Sequence, residues 1–367
     1  MLHRNKLSRI IDNSVYIKMD KMYKFPSQYV QYWLDDRFDN IPEKAFIDLL
    51  LKKGMIIERE KPCRITNNAI IDNLHLQLTD RCMCKCEHCY VGEKGKSWLT
   101  FEECCGIIDS FISAGILSID YTGGEPTLNP DFSSIIEYGR KQGLRQMLFT
   151  NGFIEEKLYD SINKNIDIIQ ISLDGDERYH NIFRHNNYIY QHAIESIKWF
   201  SEHNKLINIS FSLSKDNIQY LEHVRNIAIK YGASLRVSPP VPAGVNAITS
   251  NKYYSDVLSL FRKESKRIGL EAKELVKRKP HCSALKKTVY MGVDKRVYPC
   301  PLLNSKEYCI GVYDSKNLCE LLEGEKSVEM KKRINATLQF HKESVYFCPA
   351  FIFNLDIDDE DLFFGEE

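Results

Sequence analysis

Short apolar runs alternate with amphipathic stretches along the middle of the chain. The runs are typical of strands, and the stretches between them are typical of helices with one apolar face. The six predicted strands are residues 74–79, 117–122, 146–150, 166–173, 207–213 and 234–239. Because parallel strands need a crossover connection, this order predicts an α/β fold with a parallel sheet and helices outside it. Six strands are too few for a closed eight-stranded barrel, so the pattern favours a partial (β/α)6 barrel.

A different pattern precedes the barrel. A strand or hairpin, two short helices and another strand are predicted for residues 8–19, 29–38, 42–54 and 55–60, in that order. Pro42 lies near the start of the second helix, and Gly54 fits its C-cap. This order predicts a small winged-helix-like module in residues 1–65, with the partial barrel in residues 66–250.

The pattern changes again after the barrel. Residues 252–279 predict a long, charged helix. A cysteine-bearing region follows, from Cys282 to Cys348, and the chain continues into an acidic tail. We therefore expect residues 251–367 to form a bridging helix and a C-terminal extension.

Composition and charge narrow the class of protein. The chain has 367 residues, and its 50 Lys and Arg balance its 50 Asp and Glu, so net charge gives no support to a nucleic-acid partner. No apolar run approaches the roughly 18 residues of a membrane span, and the N-terminus lacks the apolar core of a signal peptide. We expect a cytoplasmic protein with no membrane partner. In a reducing compartment, its twelve cysteines favour metal ligands or redox groups over disulfides.

The sequence LTDRCMCKCEHCYVG places four cysteines directly after the first barrel strand. Cys82, Cys86 and Cys89 have the spacing C-x3-C-x2-C, in a loop at the carboxyl end of a strand, where such folds place their chemistry. Three thiolates suit an iron-sulfur cubane and leave one iron free to bind something else. Zinc is the alternative, although zinc sites usually pair two C-x2-C units. We expect Cys84, between the ligands, to face away from the cluster.

This loop resembles the mark of the radical S-adenosylmethionine (SAM) enzymes. Three further segments follow the next three strands in the order of that family: TGGEPTL (122–128), TNG (150–152) and SLDG (172–175). The resemblance covers roughly residues 71–246. It implies a 4Fe-4S cluster, SAM as cofactor, and a 5′-deoxyadenosyl radical that abstracts hydrogen from a substrate.

The resemblance also implies roles for single residues. The backbone of the GGEP segment would receive the methionine amino group of SAM, and Ser172 and Asp174 match positions for its ribose and carboxylate region. Arg184 suits the SAM carboxylate, because a guanidinium fork binds a carboxylate bidentately. The implied cofactor-binding residues are Gly123, Gly124, Glu125, Pro126, Asn151, Ser172, Asp174 and Arg184. His180 fits a packed or capping histidine at least as well as a functional one.

The C-terminal cysteines are similar to part of a SPASM or twitch extension, which carries auxiliary iron-sulfur clusters. A full SPASM region has more cysteines than this chain offers, so at most one auxiliary cluster is expected. Its best ligands are Cys282, Cys300 and Cys348, with Cys309 or Cys319 as the fourth. The alternative is a degenerate extension that has lost the cluster.

SPASM and twitch enzymes mostly act on peptides and proteins, so the resemblance implies a maturase that installs a thioether or carbon-carbon crosslink in a ribosomally made peptide. The N-terminal module resembles the peptide-recognition element of such maturases, and it could equally be a capping domain without a ligand. A one-electron reductant such as ferredoxin or flavodoxin is the other implied partner. Two alternatives stay open: a maturase of another protein, such as an anaerobic sulfatase, and a non-catalytic iron-sulfur or zinc protein that binds peptides.

Overall fold

Two hydrophobic cores organise the chain. The computed structural model describes residues 2–4, 8–11, 14–18, 22–58, 65–67, 71–86, 88–91, 94–238, 251–268 and 282–340. One core lies in the N-terminal part, around Trp33, and the larger one fills the space between the central sheet and its helices.

The N-terminal part combines two small sheets with two helices. Its elements are β1 (Leu2–Arg4), β2 (Ser8–Ile11), β3 (Ser14–Lys18), β4 (Met22–Lys24), α1 (Val30–Asp35), α2 (Lys44–Lys52), β5 (Ile56–Glu58) and β6 (Ile65–Asn67). Strands β2, β3 and β4 form an antiparallel meander, β6 joins β2 in parallel, and β1 pairs antiparallel with β5. The hairpin and both helices lie where the sequence predicts them. The sequence pattern did not predict strands β1 and β6 or their pairing with β5 and β2.

Trp33 is the centre of the N-terminal core. Its ring is fully buried, with the ring centroids of Phe25 and Phe38 at 4.8 Å and 5.2 Å. The indole Nε1 donates a hydrogen bond of 2.8 Å to Ser8 Oγ, which satisfies the polar atom of a buried aromatic side chain. This contact joins helix α1 to strand β2.

Six consecutive strands of the central sheet are parallel and alternate with helices, which confirms the predicted α/β barrel-type fold. The elements are β7 (Asn73–Gln77), α3 (Phe101–Ser113), β8 (Ser118–Thr122), α4 (Phe132–Lys141), β9 (Arg145–Thr150), α5 (Tyr159–Asn165), β10 (Ile168–Ser172), α6 (Glu177–Phe183), α7 (Ile189–Glu202), β11 (Leu206–Ser212), α8 (Leu221–Lys230) and β12 (Ser234–Ser238). Neighbouring strands pair in chain order from β7 to β12. Helix α3 begins with a capping box, in which Thr100 and Glu103 bond to each other's backbone N–H.

The two faces of the sheet differ in polarity. On β11, Ile207, Ile209 and Phe211 are buried in the core, whereas Ser210 and Ser212 lie on the opposite face. A closed barrel fills its interior with layers of branched apolar side chains. Here the inner face is polar, which suits a space that holds a ligand.

The C-terminal part extends the same sheet. Its elements are α9 (Asn251–Arg267), β13 (Thr288–Met291), β14 (Arg296–Tyr298), β15 (Gly311–Val312), α10 (Leu318–Glu323) and α11 (Glu325–Phe340). Strand β13 runs parallel to β7, and β14 and β15 add antiparallel to it. The predicted helix at 252–279 is present up to Arg267, and residues 269–281 lie outside the described ranges. No helix in the described part of the chain has the length and apolar content needed to cross a bilayer.

Replacing Trp33 tests the N-terminal core. We expect Trp33→Ala to lower the free energy of unfolding of this part by about 3–5 kcal/mol. The substitution opens a cavity in the core and removes the hydrogen bond that Ser8 Oγ accepts from the indole. The exposed Leu49 of helix α2 is the control, and Leu49→Ala should change that energy by less than about 0.5 kcal/mol. Denaturant unfolding measures both changes in free energy. It is followed by circular dichroism, because this signal does not depend on the fluorescence of the replaced tryptophan. Equal effects of the two substitutions would contradict the assignment of Trp33 to the centre of this core.

Candidate active site

A cavity of about 630 Å³ opens at the carboxyl ends of the barrel strands. Loops that are distant in sequence converge there, because parallel strands present their carboxyl ends at one edge of the sheet. The predicted site residues that line the cavity are Cys82, Cys86, Cys89, Gly123, Gly124, Asn151, Ser172 and Arg184. Three other predicted residues, Glu125, Pro126 and Asp174, are buried behind its wall.

The glycine pair, Gly123 and Gly124, packs directly against the start of the cysteine loop (residues 82–89). Gly124 N donates to Thr79 O at 2.8 Å, and Glu125 N donates to Arg81 O at 2.7 Å. A Cβ atom on Gly124 would lie 2.1 Å from Arg81 O, and one on Gly123 would lie 2.4 Å from Thr79 O. Gly123 also has a φ of 152°, which other residues rarely adopt. Only glycine therefore fits at both positions.

The Cys84 thiol lies beside the thiols of Cys82 and Cys86. The adjacent Cys84 side chain is the main reason why the pKa of Cys82 is lowered to about 6 and that of Cys86 to about 7. The interactions with Cys82 and Cys86, together with burial, raise the pKa of Cys84 well above its usual range. The backbone N–H of Cys84 also donates to Cys82 Sγ at 3.4 Å, and Cys84 lines the cavity together with Cys82 and Cys86. Cys84 therefore faces the other thiols, and the expectation that it faces away is wrong.

The donor set is compatible with an iron-sulfur cubane. Thiolate character at Cys82 and Cys86 is what a metal ligand requires. A single zinc ion needs four ligands around one centre, whereas a cubane binds each thiolate through a different iron. The spread of the three predicted ligands around one cavity is compatible with the second arrangement.

Arg184 is held by a buried carboxylate. Its Nε and Nη2 atoms donate to Asp174 Oδ2 at 2.8 Å and 2.5 Å, and Nη1 lies 3.8 Å from Cys86 Sγ. Asp174 Oδ1 accepts from Ser212 N, and His180 Nδ1 accepts from Asp174 N. Burial alone would raise the pKa of Asp174, but the guanidinium of Arg184 lowers it below its usual range. Asp174 thus positions Arg184, and one guanidinium nitrogen remains directed toward the cysteines.

Glu125 joins the loops after the second and third barrel strands. Its carboxylate accepts hydrogen bonds from Asn151 N at 2.8 Å, Thr150 Oγ1 at 2.9 Å and Thr127 Oγ1 at 2.8 Å. Burial raises the pKa of Glu125 to about 7, although these donors act in the opposite direction. The side chain of Asn151 then reaches the cysteine loop, with Nδ2 at 3.8 Å from Cys82 Sγ.

The segment of the chain that contains the cysteine loop, the glycine pair and Arg184 matches a known family. The family model described as Radical SAM superfamily matches residues 76–227, which include the cysteine loop, the glycine pair and Arg184. The chain carries a radical SAM domain. This domain is the one that the sequence resemblance predicts.

Two curated proteins show the reach of this similarity. Fe-coproporphyrin III synthase from Methanosarcina barkeri is 29% identical over 147 residues, which cover 39% of this chain and 37% of that protein. The antilisterial bacteriocin subtilosin biosynthesis protein AlbA from Bacillus subtilis is 25% identical over 301 residues, which cover 76% of this chain and 65% of AlbA. The chain thus spans less than two thirds of the length of these relatives.

A solved structure resembles nearly the whole chain. The crystal structure of Streptococcus suis SuiB bound to the precursor peptide SuiA has a TM-score of 0.65, with 90% of each chain covered and 12% identity. At this identity the likeness shows the fold alone. It extends beyond the radical SAM domain into the N-terminal and C-terminal parts.

Sequence reasoning missed several residues that line the cavity of the radical SAM domain. His88, Phe183 and Tyr179 form a stacked aromatic wall, with ring centroids 4.7 Å apart for the first pair and 5.4 Å apart for the second. The spacing of Tyr179 and Phe183, four residues apart on helix α6, is a signal that could have found this face. Lys94 donates a hydrogen bond of 2.7 Å to Cys89 Sγ, and no local pattern marks it.

The C-terminal part also reaches the cavity. Leu302 lines it, and Asn304 Nδ2 donates to Tyr90 O at 2.8 Å, beside the cysteine loop. Of the predicted auxiliary ligands, Cys282 and Cys300 are half-buried, and Cys348 lies outside the described residues. Cys309 Sγ contacts Gly311 O at 3.4 Å. The auxiliary cluster therefore stays a prediction.

Substituting the glycine pair tests the packing of the cysteine loop. We expect Gly124→Ala to displace the backbone at Arg81, lower the free energy of unfolding by about 1–3 kcal/mol and lose most of the bound iron. Gly106, in the middle of helix α3, is the matched control, because a Cβ there would meet no atom within 4 Å. Gly106→Ala should keep the iron and stabilise the chain by about 0.5–1 kcal/mol. Iron analysis of anaerobic protein and thermal unfolding give the answer, and equal iron in the two variants would refute this role of Gly124.

Proposed function

We propose that this chain reductively cleaves SAM at a 4Fe-4S cluster and uses the resulting radical to modify a ribosomally made peptide, by a thioether or carbon-carbon crosslink. The observation that carries the proposal is the meeting of Cys82, Cys86 and Cys89 with the glycine pair and Arg184 around one cavity. Each of these groups comes from a different loop or strand end of a radical SAM domain.

The three cysteines are the proposed cluster ligands, which leaves one iron open for SAM. When bound, such a cluster supplies the electron that cleaves SAM into methionine and a 5′-deoxyadenosyl radical, which takes hydrogen from the substrate. The backbone of the glycine pair would receive the methionine amino group. Arg184, with one nitrogen left by Asp174, would attract the methionine carboxylate, and Ser172 would face the ribose.

The rest of the cavity would hold and shield the substrate. The stacked rings of His88, Phe183 and Tyr179 form an apolar wall that would exclude water from a reactive radical. Gln170 and Ser210, on the polar inner face of the sheet, also line the cavity and would bind peptide groups by hydrogen bonds.

A peptide substrate is supported by the relatives and by the N-terminal part. AlbA is a bacteriocin biosynthesis protein, and SuiB was crystallised with a precursor peptide. In the described ranges, β4 and β6 each pair with one strand only, so an extended peptide could add to either edge of that sheet. We propose residues 1–65 as the peptide-recognition module and residues 66–250 as the catalytic barrel.

Two further elements complete the proposal. A one-electron donor such as ferredoxin or flavodoxin would reduce the cluster in the cytoplasm. One auxiliary cluster, with Cys282, Cys300 and Cys348 as ligands, would lie in the C-terminal extension of residues 251–367.

Removing the three cysteines separates the two clusters. We expect anaerobic wild-type protein to release 5′-deoxyadenosine from SAM and dithionite, and the triple variant C82A/C86A/C89A to release none. The triple variant should still hold about four irons, the content of one auxiliary cubane. Cys105→Ala, on helix α3 and away from the cavity, is the control that keeps both iron and product.

The iron content and the release of 5′-deoxyadenosine test two different parts of the proposal. A triple variant without iron would remove the auxiliary cluster from the proposal and leave the SAM chemistry intact. Product formation by the triple variant would contradict the assignment of these cysteines.

Deleting residues 1–65 tests the peptide-recognition module. We expect the truncated protein to keep reductive SAM cleavage and to lose affinity for its precursor peptide. The deletion removes the edge strand β4 and also β2, the strand that pairs with the other edge strand β6, while the larger core is kept. Fluorescence anisotropy with labelled candidate precursors from neighbouring open reading frames measures the affinity, and circular dichroism confirms the fold. Unchanged peptide affinity in the truncated protein would count against the module.

A further inference from the structure

A cation touches one of the proposed cluster ligands. Lys94 lines the cavity, and its Nζ atom donates a hydrogen bond of 2.7 Å to Cys89 Sγ. The other cation at the cavity, Arg184, is held by Asp174 and approaches Cys86 only to 3.8 Å. Among the described residues, Lys94 is therefore the cation that lies nearest to a predicted ligand sulfur.

The position of Lys94 is set by the segment that follows it. Gly95 N donates to Asp80 O at 3.4 Å, and Ser97 N donates to Asp80 Oδ1 at 2.8 Å. The Thr79 hydroxyl donates to Ser97 O at 2.6 Å. These contacts hold residues 95–97 against the end of the first barrel strand, the same strand end from which the cysteine loop starts. Lys94 therefore lies beside the strand end from which the cysteine loop starts.

A cation on a ligand sulfur has a definite electrostatic consequence. Reduction adds one negative charge to an iron-sulfur cluster, and a nearby positive charge stabilises the reduced form more than the oxidised form. Hydrogen bonds to the ligand sulfurs act in the same direction. Since the cavity is partly closed to water, this effect is screened less than it would be at the surface.

We propose that Lys94 raises the reduction potential of the cluster through its charged hydrogen bond to Cys89, and so makes the electron transfer that precedes SAM cleavage easier. This inference rests on the proposed cluster at Cys82, Cys86 and Cys89. It assigns Lys94 as a positioning residue of the site, one that acts through a ligand and not on the substrate.

The test is the midpoint potential of the cluster in the full chain, reconstituted with iron and sulfide under anaerobic conditions without SAM and followed by electron paramagnetic resonance. Lys94→Gln should shift the one-electron equilibrium about tenfold toward the oxidised form, which is a midpoint about 59 mV more negative. Lys94→Arg keeps the charge and should stay close to wild type. Lys96→Gln removes an exposed lysine two residues away and is the matched control, with an unchanged potential expected.

Each other outcome overturns a distinct statement. Equal potentials in wild type and Lys94→Gln, or an equally large shift in Lys94→Arg, would refute the role of the charge. Loss of the cluster in Lys94→Gln would show that Lys94 retains the cluster and does not set its potential. A wild-type chain that binds no cluster at all would instead refute the proposed function.

Discussion

The arrangement of the site depends on one close backbone contact. The chain after the first barrel strand lies against the chain after the second, with Thr79 O and Arg81 O accepting from Gly124 N and Glu125 N. No side chain fits between the two segments, because a Cβ on Gly124 would lie 2.1 Å from Arg81 O. This contact fixes where the cysteine loop starts and presents the backbone of the glycine pair to the cavity. The geometry of the cysteines relative to the proposed SAM site follows from it.

Two buried carboxylates extend this fixed arrangement. A buried carboxylate is costly unless donors surround it, and both Asp174 and Glu125 are fully buried with several donors each. Asp174 joins the guanidinium of Arg184 to strand β11, and Glu125 joins the glycine pair to Asn151. The groups that face the cavity are therefore positioned by groups behind its wall. Each sequence motif therefore contains residues that line the cavity and residues that only hold those lining residues in place.

The C-terminal part belongs to the same unit of structure as the barrel. Tyr290 OH donates to Gln77 Oε1 at 2.7 Å, and Leu302 reaches the cavity from the segment after β14. Strand β13 also pairs with the edge of β7, which a partial barrel would otherwise leave unpaired. The extension contributes to the cavity wall whether or not it carries a metal cluster.

Local patterns in the sequence determined the alternation of strands and helices, the cysteine spacing and the order of the motifs after successive strands. These features depend on periodicity and turn chemistry within a few residues, and the topology of a parallel sheet then brings the strand ends together. The tertiary structure decided the inward orientation of Cys84, the burial of Asp174, the contact of Lys94 with Cys89 and the place of β13 beside β7. Each depends on which groups meet across the fold, as with Gln77 and Tyr290, which are 213 positions apart. No local period records such a meeting, because it is set by packing and by the need to pair buried polar groups.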